Sequence, residues 1–161
     1  MASPEGYSRL QIALHWAVAG LMGLNFVSSD AMKAAWWAVE KGRDAFGNVA
    51  MVHVASGILI LVLALLRLAV RLGRGAPAAS AGTSPMMALA ARSMHAALYG
   101  AMILIPLAGL VAWFGGVRAM GEVHETLFAV TLGLVGLHVL AAAVHQWVLR
   151  DGLLLRMWRA R

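Results

Sequence analysis

Three histidines stand in one apolar run. The stretch "GEVHETLFAVTLGLVGLHVLAAAVHQWVLRDG" carries His124, His138 and His145, at intervals of fourteen and seven residues. Fourteen residues advance about 21 Å along a helix and leave a side chain about 40° from alignment, so His124 and His138 share a face at two depths. Three more histidines, His15, His53 and His95, each lie near the start of another apolar stretch. Neutral imidazoles in apolar surroundings ligate metals, relay protons or rest at an interface. Ionisable groups within a membrane helix are costly and by default functional, whereas one at a helix end is as readily an inert headgroup-level residue.

The elements that position these rings follow from composition. Of the 161 residues, 61% are hydrophobic and 12% charged, and mean hydropathy is +0.78. A soluble domain has roughly 45–50% apolar residues, so the chain reads as an integral membrane protein. Four stretches, 10–27, 49–70, 86–114 and 123–149, match the roughly 20 residues a crossing requires. Lipid leaves backbone groups no external partner, and the stretches neither alternate nor are short enough for barrel strands, so they are helices. The expected fold is all-α, a four-helix membrane bundle forming one domain over 1–161. Ser84–Pro85 reads as a helix start, Pro106 as a kink inside the third span, and "SSDAMKAAWWAVEKGRDAFGN" as a connection with a short interfacial helix. The polar opening "MASPEGYSRLQ" does not read as a signal peptide. Nine of the thirteen Lys and Arg residues fall on the side of both termini and the 71–85 linker, and five of the seven acids fall on the other. The positive-inside rule then places both termini in the cytoplasm. The net charge of +6 forms no stripe and no reader motif, which argues against nucleic acid. No cysteine is present, which excludes disulfides, thiolate zinc sites and cysteine-ligated clusters.

Depth now sorts the histidines. His53 opens the second span at the level of His124, and His15 enters the first at roughly the level of His138. Two pairs result, His53 with His124 and His15 with His138. A pair of neutral imidazoles, each offering one nitrogen, is what six-coordinate b-type haem requires. Zinc would need four ligands gathered in a tetrahedron, and these depths are too spread. A proton relay lacks a mid-span acid, Glu125 being the nearest carboxylate. Ala13, Ala17, Gly20, Ala55, Ser56, Gly57, Gly133 and Gly136 give small faces against which a flat macrocycle would fit, and which equally suit plain helix contact. His95 and His145 stand open as quinone-site residues, alternative ligands or interfacial histidines; His145, two turns beyond His138, is the rival inner ligand.

The motifs "YSRLQIALHW", "HVASGILILVLALLRLAVRL", "HAALYGAMILIPLAGL" and "HETLFAVTLGLVGLHVLAAAVHQWVLRDGLLLRM", in this order over nearly the whole chain, resemble the bacterial cytochrome b561 family. The resemblance implies a multi-pass protein of the inner membrane that holds two haem b groups, with His15, His53, His124 and His138 as the iron ligands. It further implies ubiquinone as electron acceptor and, as in one type of the family, superoxide as a donor at the periplasmic face. The activity implied is superoxide:ubiquinone oxidoreductase. The alternative is a haem-bearing anchor subunit relaying electrons between quinone and a periplasmic dehydrogenase or hydrogenase. The "GGVRAMGE" loop is shorter than in the best-known form of the family. Lys33, Lys41, Arg43 and Arg118 are the cations that would draw a small anion to the outer face, or are ordinary solvated loop charges.

Overall fold

The structure, a computed structural model, describes residues 6–43, 47–78 and 82–160. Part of the 71–85 linker and the extreme terminal residues counted in the charge asymmetry lie outside them. Helix is the only regular structure among the described residues. α1 spans Arg9–Val27, α2 Ser29–Glu40, α3 Asn48–Arg74, α4 Pro85–Gly115 and α5 Arg118–Val144. α1, α3, α4 and α5, the last continuing to Leu149, are long and apolar enough to cross a membrane.

Local chemistry sets the boundaries. Ser8 and Gln11 form a reciprocal cap at the start of α1: Ser8 Oγ accepts from the Gln11 amide at 3.3 Å, and Gln11 Oε1 accepts from the Ser8 amide at 2.9 Å. Ser84 accepts from the Met87 amide at 3.2 Å and Pro85 takes the first position of α4, as the sequence predicts. That helix runs through the buried Pro106 as one element and stops at Gly116, whose φ of 66° a residue with a Cβ rarely adopts. The second and fourth spans outrun their apolar limits, reaching Arg74 and starting at Arg118. Helical geometry does not end at the hydrocarbon boundary, so polar turns extend it. The expected interfacial helix is α2.

α1 packs on α3, α3 on α4, and α4 on α5. The core forms where the first three meet, around Val18, Ile60, Ala64, Tyr99 and Met102. Ala64, fully buried, lets the helices approach closely. α5 contributes a single buried side chain, Thr131. It meets α1 through rings, Phe26 with Phe128 and His15 with His138. Large apolar side chains such as Leu72, Val130, Val139 and Val148 face outward, the arrangement a lipid surround permits and water does not.

Candidate functional site: two histidine-paired cavities

The bundle holds one cavity at each end. The first, about 410 Å³, lies beneath α2 and is lined by His53, His124, Gly57, Gly109 and Trp36 among others. The second, about 360 Å³, lies at the end bearing the termini and is lined by His15, His138, His95, His145, Arg67, Arg71 and Tyr99 among others.

The His53 and His124 ring centres are 6.2 Å apart, and those of His15 and His138 are 6.4 Å apart. An iron between two imidazoles requires about 2 Å to each nitrogen and about 1.1 Å more to each ring centre, hence roughly 6.2 Å in all. Both pairs match that span, which is too wide for direct nitrogen-to-nitrogen hydrogen bonding along the same axis. The helices thus bring together the two pairs that depth alone selects.

Hydrogen bonds fix which nitrogen is available under α2. His124 Nδ1–H donates to the Ile105 carbonyl at 2.8 Å. Ser28 Oγ spends its proton on the Asn25 carbonyl, so His53 Nδ1–H donates to Ser28 Oγ at 3.1 Å. Each Nε2 is then left with a bare lone pair, and orientation of a ligand through its other nitrogen is the usual support of a metal site. Asn25 is fixed in turn by the Ser56 hydroxyl. A Cβ on Gly109 would lie 2.9 Å from His124 Nδ1, so glycine makes room for the ring. The donor set and its spacing fit a bis-histidine haem at this end.

The other end is more crowded. His138 lies between His15 and His95, the His95 ring centre being 5.7 Å away. His95 Nδ1–H donates to the Ala91 carbonyl at 2.7 Å, which leaves its Nε2 bare. His15 Nδ1 instead accepts from Arg67 Nη2 at 2.8 Å. His145 Nδ1–H donates to Asp151 Oδ2 at 2.6 Å, in the widened turn His145–Leu149 that closes α5. Burial pushes the Asp151 carboxyl up, but the His145 and Leu153 hydrogen bonds and the nearby charges of His145 and Arg156 outweigh it, so the group sits below the usual carboxylate range. That bond occupies His145 Nδ1, while the residue lines the same cavity as His15 and His138.

Among the four cations weighed for anion attraction, Lys33 Nζ pairs with Glu125 Oε1 at 2.7 Å and Arg118 Nε with Glu40 Oε1 at 3.1 Å. The Glu125 hydrogen bond, then its charge, holds the Lys33 ammonium above the usual lysine range. Lys41 Nζ lies 3.6 Å from the centre of the Trp37 ring, and Arg43 is exposed. Of the small residues expected to face a macrocycle, Gly57 lines a cavity and Ser56 is buried beside it, while Ala13, Ala17, Gly20, Ala55, Gly133 and Gly136 are exposed on helix faces. Sequence reasoning missed Gly109, Ser28 and Arg67. The signal for Arg67 was present as "LLRLAVRL", an arginine pair at i, i+4 inside an apolar run; Gly109 and Ser28 gave none.

Residues 6–160 match the family model described as Prokaryotic cytochrome b561. The chain is 38% identical over 161 residues to Cytochrome b562 of Cereibacter sphaeroides, with 100% of both chains covered. It is 32% identical to Probable superoxide oxidase CybB of Yersinia pestis, over 94% of each chain. It is 26% identical to Cytochrome b561 homolog 1 of Escherichia coli K12, over 96% of this chain and 98% of that one. The chain belongs to the prokaryotic cytochrome b561 family. It is a membrane electron-transfer protein of the haem b class, multi-pass in the bacterial inner membrane.

Proposed function

We propose that this chain carries electrons from one face of the inner membrane to the other through two b-type haems, oxidising superoxide at the α2 end and reducing ubiquinone at the end bearing the termini. The observation that carries the reading is the pair of imidazole couples at opposite ends of one bundle, each at the spacing that bis-histidine iron requires. His53 and His124 hold one haem and His15 and His138 the other. Haem bound there supplies one-electron chemistry, and the protein's part is position and electrostatics. α5 supplies a ligand to each couple, so its helical rise sets their separation at roughly 20 Å. Each histidine couple would give both its imidazoles to hold the haem, which would supply outer-sphere one-electron transfer to a small reactant. Two superoxide anions give up one electron each and leave as dioxygen; the two electrons and two protons convert one quinone to quinol. The positive-inside asymmetry supports a periplasmic α2 end, and the CybB relative, named a probable superoxide oxidase, supports the donor.

A second reading has its own support. The ion pairs on Lys33 and Arg118 spend most of the positive charge near the α2 cavity. That favours an uncharged or protein donor, as expected of an anchor subunit docked to a periplasmic dehydrogenase or hydrogenase.

The test is haem content by variant. Alanine at His53 or His124 is expected to remove one haem of two, and alanine at His15 or His138 the other, read as haem-to-protein ratio and difference spectra. A His138→Ala protein that keeps both, or a His145→Ala protein that loses one, sinks the ligand assignment. Stopped-flow mixing with superoxide and a soluble quinone separates the readings. Fast, quinone-dependent reoxidation supports the oxidase, whereas inertness toward superoxide with a co-purifying periplasmic partner supports the anchor.

A further inference from the structure

The two cavities differ in charge. Beneath α2, Lys33 and Arg118 are balanced by Glu40, Glu122 and Glu125. At the other end Arg67 and Arg71 line the cavity with no acid among its lining residues. They stand one turn apart on α3, with their guanidinium carbons 5.5 and 5.9 Å from the centre of the Tyr99 ring. Among the described residues, neither has a carboxylate within ion-pair distance. Arginine keeps its proton in proteins, so a partly buried guanidinium must meet an anion or bear its desolvation cost. Arginine near a helix end often reaches outward to headgroups instead. Arg67 does not: it turns inward and donates to His15 Nδ1.

That hydrogen bond has a consequence for His15. A neutral imidazole that accepts at Nδ1 carries its proton on Nε2, the nitrogen that would have to face a metal. For His15 to ligate as His53 and His124 are set up to do, Arg67 must transfer to another acceptor.

We propose that Arg67 and Arg71 form a carboxylate-binding site whose occupants are the two propionates of the haem held by His15 and His138. Two fixed positive charges meet two negative ones, and guanidinium is suited to bidentate carboxylate recognition. Once Arg67 bonds a propionate, the neutral His15 imidazole can shift its single proton from Nε2 to Nδ1, which leaves Nε2 with a bare lone pair. The inference rests on the reading that haem is bound at this end. Phosphate of an anionic lipid shares the same chemistry and is the competing occupant.

The experiment uses the full chain with His124→Ala, or with His53→Ala should that variant fold poorly, so that only the haem of interest is retained. The protein is stripped and titrated in detergent with haem b and with its dimethyl ester, following the Soret band. Haem b is expected to bind more tightly by about tenfold or more for each arginine engaged. Arg67→Gln and Arg71→Gln should each reduce that preference, the double variant should abolish it, and Arg67→Lys should restore part of it. The glutamine variants should also lower the midpoint potential, because losing a neighbouring positive charge disfavours the added electron. Equal binding of acid and ester, or arginine variants that keep the full preference, overturns the proposal. So does a charge dependence that appears only when phosphatidylglycerol is present in nanodiscs and vanishes in phosphatidylcholine, which assigns the arginines to lipid. A His15→Ala change that leaves the band untouched defeats the haem reading at this end, whereas unaffected arginine variants with an intact His15-dependent band defeat only the carboxylate site.

Discussion

At the level of single residues, the histidines differ less in themselves than in what holds their second nitrogen. A backbone carbonyl orients His124, a serine hydroxyl orients His53, and Arg67 holds His15 in the opposite tautomer. His145 forms a clamp with Asp151 that anchors the chain as it leaves α5. Asp151 Oδ1 also accepts from the Leu153 amide at 3.0 Å, and Trp16 Nε1–H donates to the Met157 carbonyl at 2.9 Å, docking the terminal segment on α1. Because the folded Asp151 value lies below its ordinary 3.8, the clamp's contribution is fully present above that pH and is lost as pH falls through the depressed value. Hydrogen exchange of residues 145–160, corrected for intrinsic rates, should accelerate through that acidic window. Asp151→Asn should show faster exchange at neutral pH and lose the acid dependence. Exchange in the variant that still responds to acid as the parent does would assign the dependence elsewhere.

At the level of elements, α2 differs from the four spans. It buries no side chain fully and crosses nothing, yet it roofs the cavity holding His53 and His124. Two kinds of contact hold it. The exposed Lys33–Glu125 pair contributes little, because water screens it, and it weakens further with salt. The Trp36 ring packs against Gly121 and lies 6.3 Å from the Trp113 ring centre, and such an aromatic pair contributes about 0.5–1.5 kcal/mol beyond the apolar area it buries. The ring should therefore dominate. Trp36→Ala is expected to raise exchange and protease sensitivity across 29–43 by about tenfold, with α3 to α5 unchanged, and Glu125→Gln to do so by less and only at low salt. The reverse ranking would make α2 an electrostatic latch.

At the level of the whole molecule, the bundle is polarised. Among the described residues, the cavity at the end bearing the termini is lined by Arg67 and Arg71 without an acid, whereas at the α2 end Lys33 and Arg118 are paired with Glu125 and Glu40. Under the positive-inside rule this asymmetry is expected to set the arginine-rich end in the cytoplasm, and the proposed electron path runs toward it. Reporter fusions test the orientation: a fluorescent protein after Arg161 should be bright, and alkaline phosphatase inserted at Arg43 should be active. Phosphatase activity at the C-terminus instead would invert the assignment of donor and acceptor faces.

Much of this was readable from the chain itself, because lipid imposes few and strict demands. Apolar runs of bilayer length must be helices, and a fourteen-residue spacing on one helix must place two imidazoles at two depths. The Ser84–Pro85 pair marks a boundary by local chemistry alone. What crosses between helices was not readable. Which carbonyl receives His124, that Gly109 clears the ring, that Lys33 and Arg118 are spent on Glu125 and Glu40, and that Arg67 turns inward to His15 all depend on helix rotation and approach. Those are set by the packing of Val18, Ile60, Ala64, Tyr99 and Met102, a many-body fit that no single segment encodes.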